Sequence, residues 1–172
     1  AAFDENIGGW DVSQVSTMRG MFDGATDFNA PIGAWDVSKV KDMHRAFAQG
    51  QAGGAFDADI GAWDVSEVTD MSNAFRYADA FDADLRAWDV SKVTNMENAF
   101  AYAAAFDAPI GDWDVSRVTI MYAAFYGAAA FSANLGAWGV SKVTNVDVMF
   151  WGSNLQECPS WAVGKNAFGP CV

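Results

Sequence analysis

Large apolar side chains recur at a fixed interval from one end of the chain to the other. Phe3, Phe28, Phe56, Phe81, Phe106 and Phe131 each open a unit in which Ile or Leu stands four residues on, Trp seven on and Val nine on. The step is 25 residues, except from Phe28 to Phe56, where three extra residues fall in the stretch 49–54. Met18, Met43, Met71, Met96 and Met121, with Val146 last, form a further column. Phe22, Phe47, Phe75, Phe100, Phe125 and Phe150 form another. A period of this length marks a repeat architecture, in which each unit buries its apolar face only against its neighbours.

Two shorter periods lie inside the unit. In IGDWDV, residues 110–115, the Trp-Asp-Val part alternates inward and outward as a short strand does. In TNMENAFAYA, residues 94–103, Met96, Phe100 and Ala103 stand at i, i+4 and i+7, one apolar face of a short helix. Thr94 followed by Glu97 reads as a capping box, and Thr144 followed by Asp147 resembles one. Each unit is expected to run strand, tight turn, short helix, return loop, with strands stacked in parallel about 4.8 Å apart. One unit buries roughly 10–20 kcal/mol of apolar surface, less than the cost of ordering its backbone at ~1–2 kcal/mol per residue. A unit alone should not fold; a stack should.

The predicted fold is an α/β repeat solenoid of six coils, each one short parallel strand plus one short helix. The coils cover residues 1–150, and a C-terminal cap covers 151–172. The extra residues Gln49, Gly50, Gly53 and Gly54 are expected to bulge between helix and strand without disturbing the Trp register. Ala1 and Ala2 match the last positions of a preceding unit, so the chain reads as a piece of something longer.

The unit FxxxIxxWDVSxVTxMxxAF resembles the bacterial surface-protein repeat of about 26 residues. It is also similar to the BspA-like leucine-rich repeats of surface proteins and lipoproteins, with I-x-x-W-x-V as the counterpart of their L-x-x-L-x-L strand. The resemblance covers residues 3–150. It implies a right-handed, leucine-rich-repeat-like solenoid used for adhesion or partner binding at a cell surface.

Composition narrows the partners. With 22 acidic and 10 basic side chains the net charge is −12, which argues against nucleic acid or an anionic membrane surface. No apolar run is long enough to span a membrane. Cys158 and Cys171 lie after the last unit without a second pair or a neighbouring histidine, which argues against zinc. They read as a disulfide stapling the C-terminal cap, with two free thiols as the alternative. A disulfide places the protein outside the reducing cytosol: extracellular, at a cell surface, or in another non-reducing compartment such as an organelle lumen.

Candidate chemistry rests on aspartates. Asp11, Asp36, Asp64, Asp89 and Asp114 each follow the Trp and would form a ladder of like charges on the outer face, with Gly139 ending the series. Adjacent like charges are destabilising unless compensated. Either Ser13, Ser38, Ser66, Ser91 and Ser116 and the basic column Lys39, Lys92, Arg117 and Lys142 satisfy them, or they are a binding strip for cations or a basic partner. Asp57 with Asp59 and Asp82 with Asp84 form D-x-D pairs, weak candidates for calcium beside their ordinary role of capping return-loop amides. No other cofactor is indicated. His44, the only histidine, reads as a solvated helix residue, and one histidine with no reactive-cysteine context leaves no nucleophilic triad.

The sequence therefore reads as no enzyme. It fits a recognition or adhesion module that binds a protein or glycan through its repeat face. The alternatives are a structural subunit of a larger assembly and a cation-dependent glycan-binding module.

Overall fold

The computed structural model describes residues 3–51 and 53–167. Each unit winds once and lies on the next. Coil 1 is 3–27, coil 2 is 28–55, coil 3 is 56–80, coil 4 is 81–105, coil 5 is 106–130 and coil 6 is 131–150; a closing segment, 151–167, follows. The Phe, Trp, Ile/Leu, Met and Val columns expected from the sequence run through the buried interior.

The elements of the coil are not those expected. Among the described residues there is no helix, and β pairing is confined to single-residue parallel bridges linking Thr17, Asp42, Asp70, Asn95, Ile120 and Asn145 in turn. These bridges lie after the Trp-Asp-Val stretch, not in it. The α/β coil of one strand plus one helix, and with it the leucine-rich-repeat description, is thus corrected to a coil of consecutive turns.

Hydrogen bonding explains the missing helix. In coil 4 the backbone N–H groups of Met96, Asn98, Phe100 and Tyr102 donate to the carbonyls of Ile120, Tyr122, Ala124 and Tyr126 in coil 5. The alternate N–H groups of Ala99, Ala101 and Ala103 turn back three residues, to Met96, Asn98 and Phe100. Asn98 and Tyr102 adopt φ of 51° and 61°, a left-handed conformation that no α-helix contains. The segment is two four-residue turns in succession, which places Met96 and Phe100 inward at the same i, i+4 spacing a helix would give. Thr94 does not cap anything; its hydroxyl donates to the Thr69 carbonyl in coil 3, 3.1 Å away.

The missing strand has a parallel cause. The N–H of Trp88 turns back to Leu85 and that of Val93 to Val90, so the stretch lies between two turns. The indole supplies the link between coils instead: Trp35, Trp63, Trp88, Trp113 and Trp138 each donate Nε1–H to an Ile or Leu carbonyl one coil back, at 3.0–3.2 Å.

The two Phe columns interleave. Phe75 lies 4.3 Å from Phe81, which opens the next coil, and 5.3 Å from Phe100 in its own column. Such stacks add about 0.5–1.5 kcal/mol each beyond the area they bury. The extra residues of coil 2 leave the Trp register intact, since Trp63 still reaches the Ile32 carbonyl at 3.1 Å. Part of that stretch is packed, however: Gln49 is only 4% exposed.

The closing segment ends the stack by imitating a coil. Trp161 donates its indole N–H to the Leu135 carbonyl and lies parallel to Trp138 at 6.5 Å. The carbonyls of Asn166 and Ala167 accept the N–H groups of Val148 and Phe150. Cys158 is disulfide-bonded and no described cysteine is free; Cys171, its expected partner in the staple, lies outside the described residues, and the closure seen among the described residues is made by an indole and backbone.

Candidate functional site

The Asp ladder occupies the turn that follows each Trp. Asp11, Asp36, Asp64, Asp89 and Asp114 each accept the backbone N–H of the serine two residues on, at 3.0–3.1 Å. The hydroxyls of Ser13 and Ser38 donate to the same oxygen of Asp11 and Asp36 at 2.7 and 2.6 Å. A hydrogen-bonded carboxylate holds its charge more easily. Asp11, Asp36, Asp89 and Asp114 sit below the ordinary Asp range, first through the serine hydroxyl and then through the serine amide. The basic column adds a lesser, through-space lowering from Lys39, Lys92, Arg117 and Lys142, while Lys39 itself donates to Gln14 at 2.9 Å and Lys92 pairs with Glu67.

The second aspartate column clamps coil to coil. Asp4, Asn29, Asp57, Asp82 and Asp107 each accept the backbone N–H of the equivalent residue in the next coil, at 2.7–3.0 Å. Sequence reasoning placed these acceptors over amides of their own loop; the amide is one coil away. Asp59 takes the Gly61 N–H and Asp84 takes Arg86, so neither D-x-D pair converges on a common point. Among the described residues no group of three or more His, Cys, Asp or Glu side chains could hold a metal ion. His44 is half-buried rather than solvated, with Nδ1 2.7 Å from the Ser72 hydroxyl.

Sequence reasoning missed a third feature, at the corner formed by the left-handed residues. Gly24 and Gly127 occupy the second left-handed position in coils 1 and 5, and Gly152 the same place just after coil 6, whereas coils 3 and 4 carry Tyr77 and Tyr102 there, both at φ 61°. A bulky residue in that region is a conformational outlier. The two rings stack at 4.6 Å, Tyr126 meets Tyr102 edge-on at 5.1 Å, and the Arg76 guanidinium lies 5.0 Å above Tyr77. The Tyr102 phenol is pushed up, chiefly by burial and then by its bond to Tyr126. Beside the rings opens a groove of about 440 Å3 lined by Gln51, Tyr77, Asp79, Tyr102, Ala104 and Gly127. Burial also pushes the Asp79 carboxyl up. The signal was present in the sequence as a departure from the repeat: Tyr77 and Tyr102 stand where Gly24, Gly127 and Gly152 stand in other units.

Trp10 is 62% exposed and Met21 42%, and with Phe3 and Phe22 they line a groove of about 310 Å3.

A family model described as "Mycoplasma protein of unknown function, DUF285" matches the chain twice, over residues 1–53 and 50–161. The chain belongs to that family. The two DUF285 matches meet at the extra residues of coil 2, where the 25-residue register is interrupted. No curated protein matches the chain, and no solved structure does. Among the described residues of this DUF285 chain, no helix is long and apolar enough to cross a membrane.

Proposed function

We propose that the protein is a non-catalytic recognition module that binds another macromolecule along the corner of left-handed turns, at a cell surface. One observation carries this reading. The recurring residues are consumed by the core and by coil-to-coil bonds, while the corner changes from coil to coil. Asp23, Arg76, Tyr126 and Trp151 share one column there, and Gly24, Tyr77, Tyr102 and Gly127 the next. A constant scaffold under a varied face is the arrangement repeat proteins use for binding. The likeness of the unit to bacterial surface-protein repeats of the BspA-like kind supports the surface location. Aspartates engaged by their own serines favour the corner over the ladder as the recognising face.

The test is retention of defined proteins and glycans on the immobilised chain, compared with a Tyr126→Ala/Trp151→Ala variant. Alanine already fills this column in coils 2 and 4, as Ala48 and Ala101. A partner held by the native chain and released by the variant is the expected result. Equal retention by both, or none by either, contradicts the reading.

A further inference from the structure

Three departures from the repeat converge on the groove beside Tyr77 and Tyr102. The extra residues of coil 2 supply Gln51 as one wall. Tyrosines replace the glycine that suits a left-handed backbone, a strain of about 1–3 kcal/mol that persists only where surrounding structure imposes it. Asp79 adds a carboxylate for which no hydrogen bond or ion pair is seen among the described residues; it occupies the space that a side chain on Gly53 would need. Elsewhere, by contrast, Asp23 pairs with Arg45, Asp42 with Arg19 and Asp84 with Arg86. Sites where local rules fail together are where function is expected.

We propose that this groove binds the cationic side chain of a lysine or arginine presented by a protein partner. The carboxylate of Asp79 supplies the charge complement, and the aromatic column supplies a surface on which cations are already favoured. Arg76 demonstrates that preference within the chain, its guanidinium resting on Tyr77 rather than on Asp79. The net charge of −12 draws a basic partner toward it. A sugar ring is a poorer fit. It carries no charge to meet the Asp79 carboxylate, whereas Arg76 shows a cation settling on this aromatic column. The proposal deepens the recognition reading and rests on it.

The test is an NMR titration of the full chain, labelled at the Asp side-chain carboxyl carbons and the Tyr rings. The probes are Nα-acetyl-lysine amide, Nα-acetyl-arginine amide and, as a neutral contrast, maltotriose. The expected result is a saturable shift at Asp79 and Tyr102 with the two cations and none with maltotriose. Asp79→Asn should weaken that binding by about tenfold or more, as loss of one partner of a charge pair does. Tyr102→Gly, which installs the residue coil 5 carries as Gly127, should weaken it while keeping the backbone. Asp89→Asn, in the ladder, should leave it unchanged. No saturable shift up to about 100 mM probe, where even very weak sites fill, overturns the proposal. So does equal binding by Asp79→Asn, or binding of maltotriose alone. Cation binding without any retained macromolecule sinks the recognition reading and leaves the groove; retention without cation binding does the reverse.

Discussion

Trp88 donates its indole N–H to the carbonyl oxygen of Ile60, one coil back, across 3.1 Å. Both partners are buried, and the same bond recurs at each neighbouring coil. A side chain therefore does here what a ladder of backbone bonds does in a sheet. Trp88→Phe keeps a ring but orphans the carbonyl and opens space, so it should cost about 2–4 kcal/mol. Trp10→Phe, at the exposed end, should cost under about 0.5 kcal/mol. Urea melts of the two variants check this, and equal losses would contradict a stack of coils linked by indoles.

Val148 holds φ 50° at the first left-handed position of coil 6, where coils 3 and 4 carry Asn73 and Asn98. A β-branched residue is strained there, and Asn is tolerated. Val148→Asn should raise stability by about 1 kcal/mol, and Asn98→Val should lower it by about 1–2 kcal/mol. Denaturant midpoints measure both; a loss from Val148→Asn would mean that its packing outweighs the strain.

Asp82 accepts the Asp107 amide at 2.9 Å, and Asn29 accepts the Asp57 amide in the same manner at 2.8 Å. The clamp needs an acceptor oxygen rather than a charge. Asp82→Asn should be neutral within about 0.5 kcal/mol, while Asp82→Ala should cost about 1 kcal/mol. Thermal melts distinguish them. Equal damage from both would assign the role to the charge.

How far the fold could be read from the chain depends on the residue. The columns led by Phe81, Trp88 and Met96 were legible because burial is periodic and the period is long. Helix was inferred from Met96 and Phe100 because a four-residue turn and a helical turn share the i, i+4 spacing. Gly20, Gly24, Gly127 and Gly152 held the contrary signal, since glycine recurring at positions four apart in coil 1 suits left-handed turns and not a helix. The strand was inferred from the inward Trp and Val, and that orientation is real; side-chain alternation cannot show whether the backbone N–H pairs outward or turns back. The ladder aspartates and their serines were legible as neighbours. The groove was not, because it joins Gln51 to Tyr77, Asp79 and Tyr102 across three coils.

Acid should weaken the fold. Asp11, Asp36, Asp89 and Asp114 titrate below their ordinary value when folded, held by serine hydroxyls and amides. Their contribution is complete above the unfolded Asp range, near pH 4, and is lost as pH falls through the lower folded values. The urea midpoint should stay flat from about pH 8 to 5 and fall below about pH 4. A midpoint that rises on acidification would show unrelieved repulsion along the ladder instead.

The most direct test of the division between scaffold and recognising corner is the melt of Asp89→Asn with and without calcium. Asp89 accepts the Ser91 amide at 3.0 Å, and its hydroxyl partner is the first cause of its lowered pKa. If the ladder is internally satisfied scaffold, the substitution lowers stability slightly, by about 0.5 kcal/mol at an exposed site, and calcium changes neither protein. A clear gain in stability without metal, or a calcium-dependent rise in the native chain that the variant lacks, would make the ladder the binding strip.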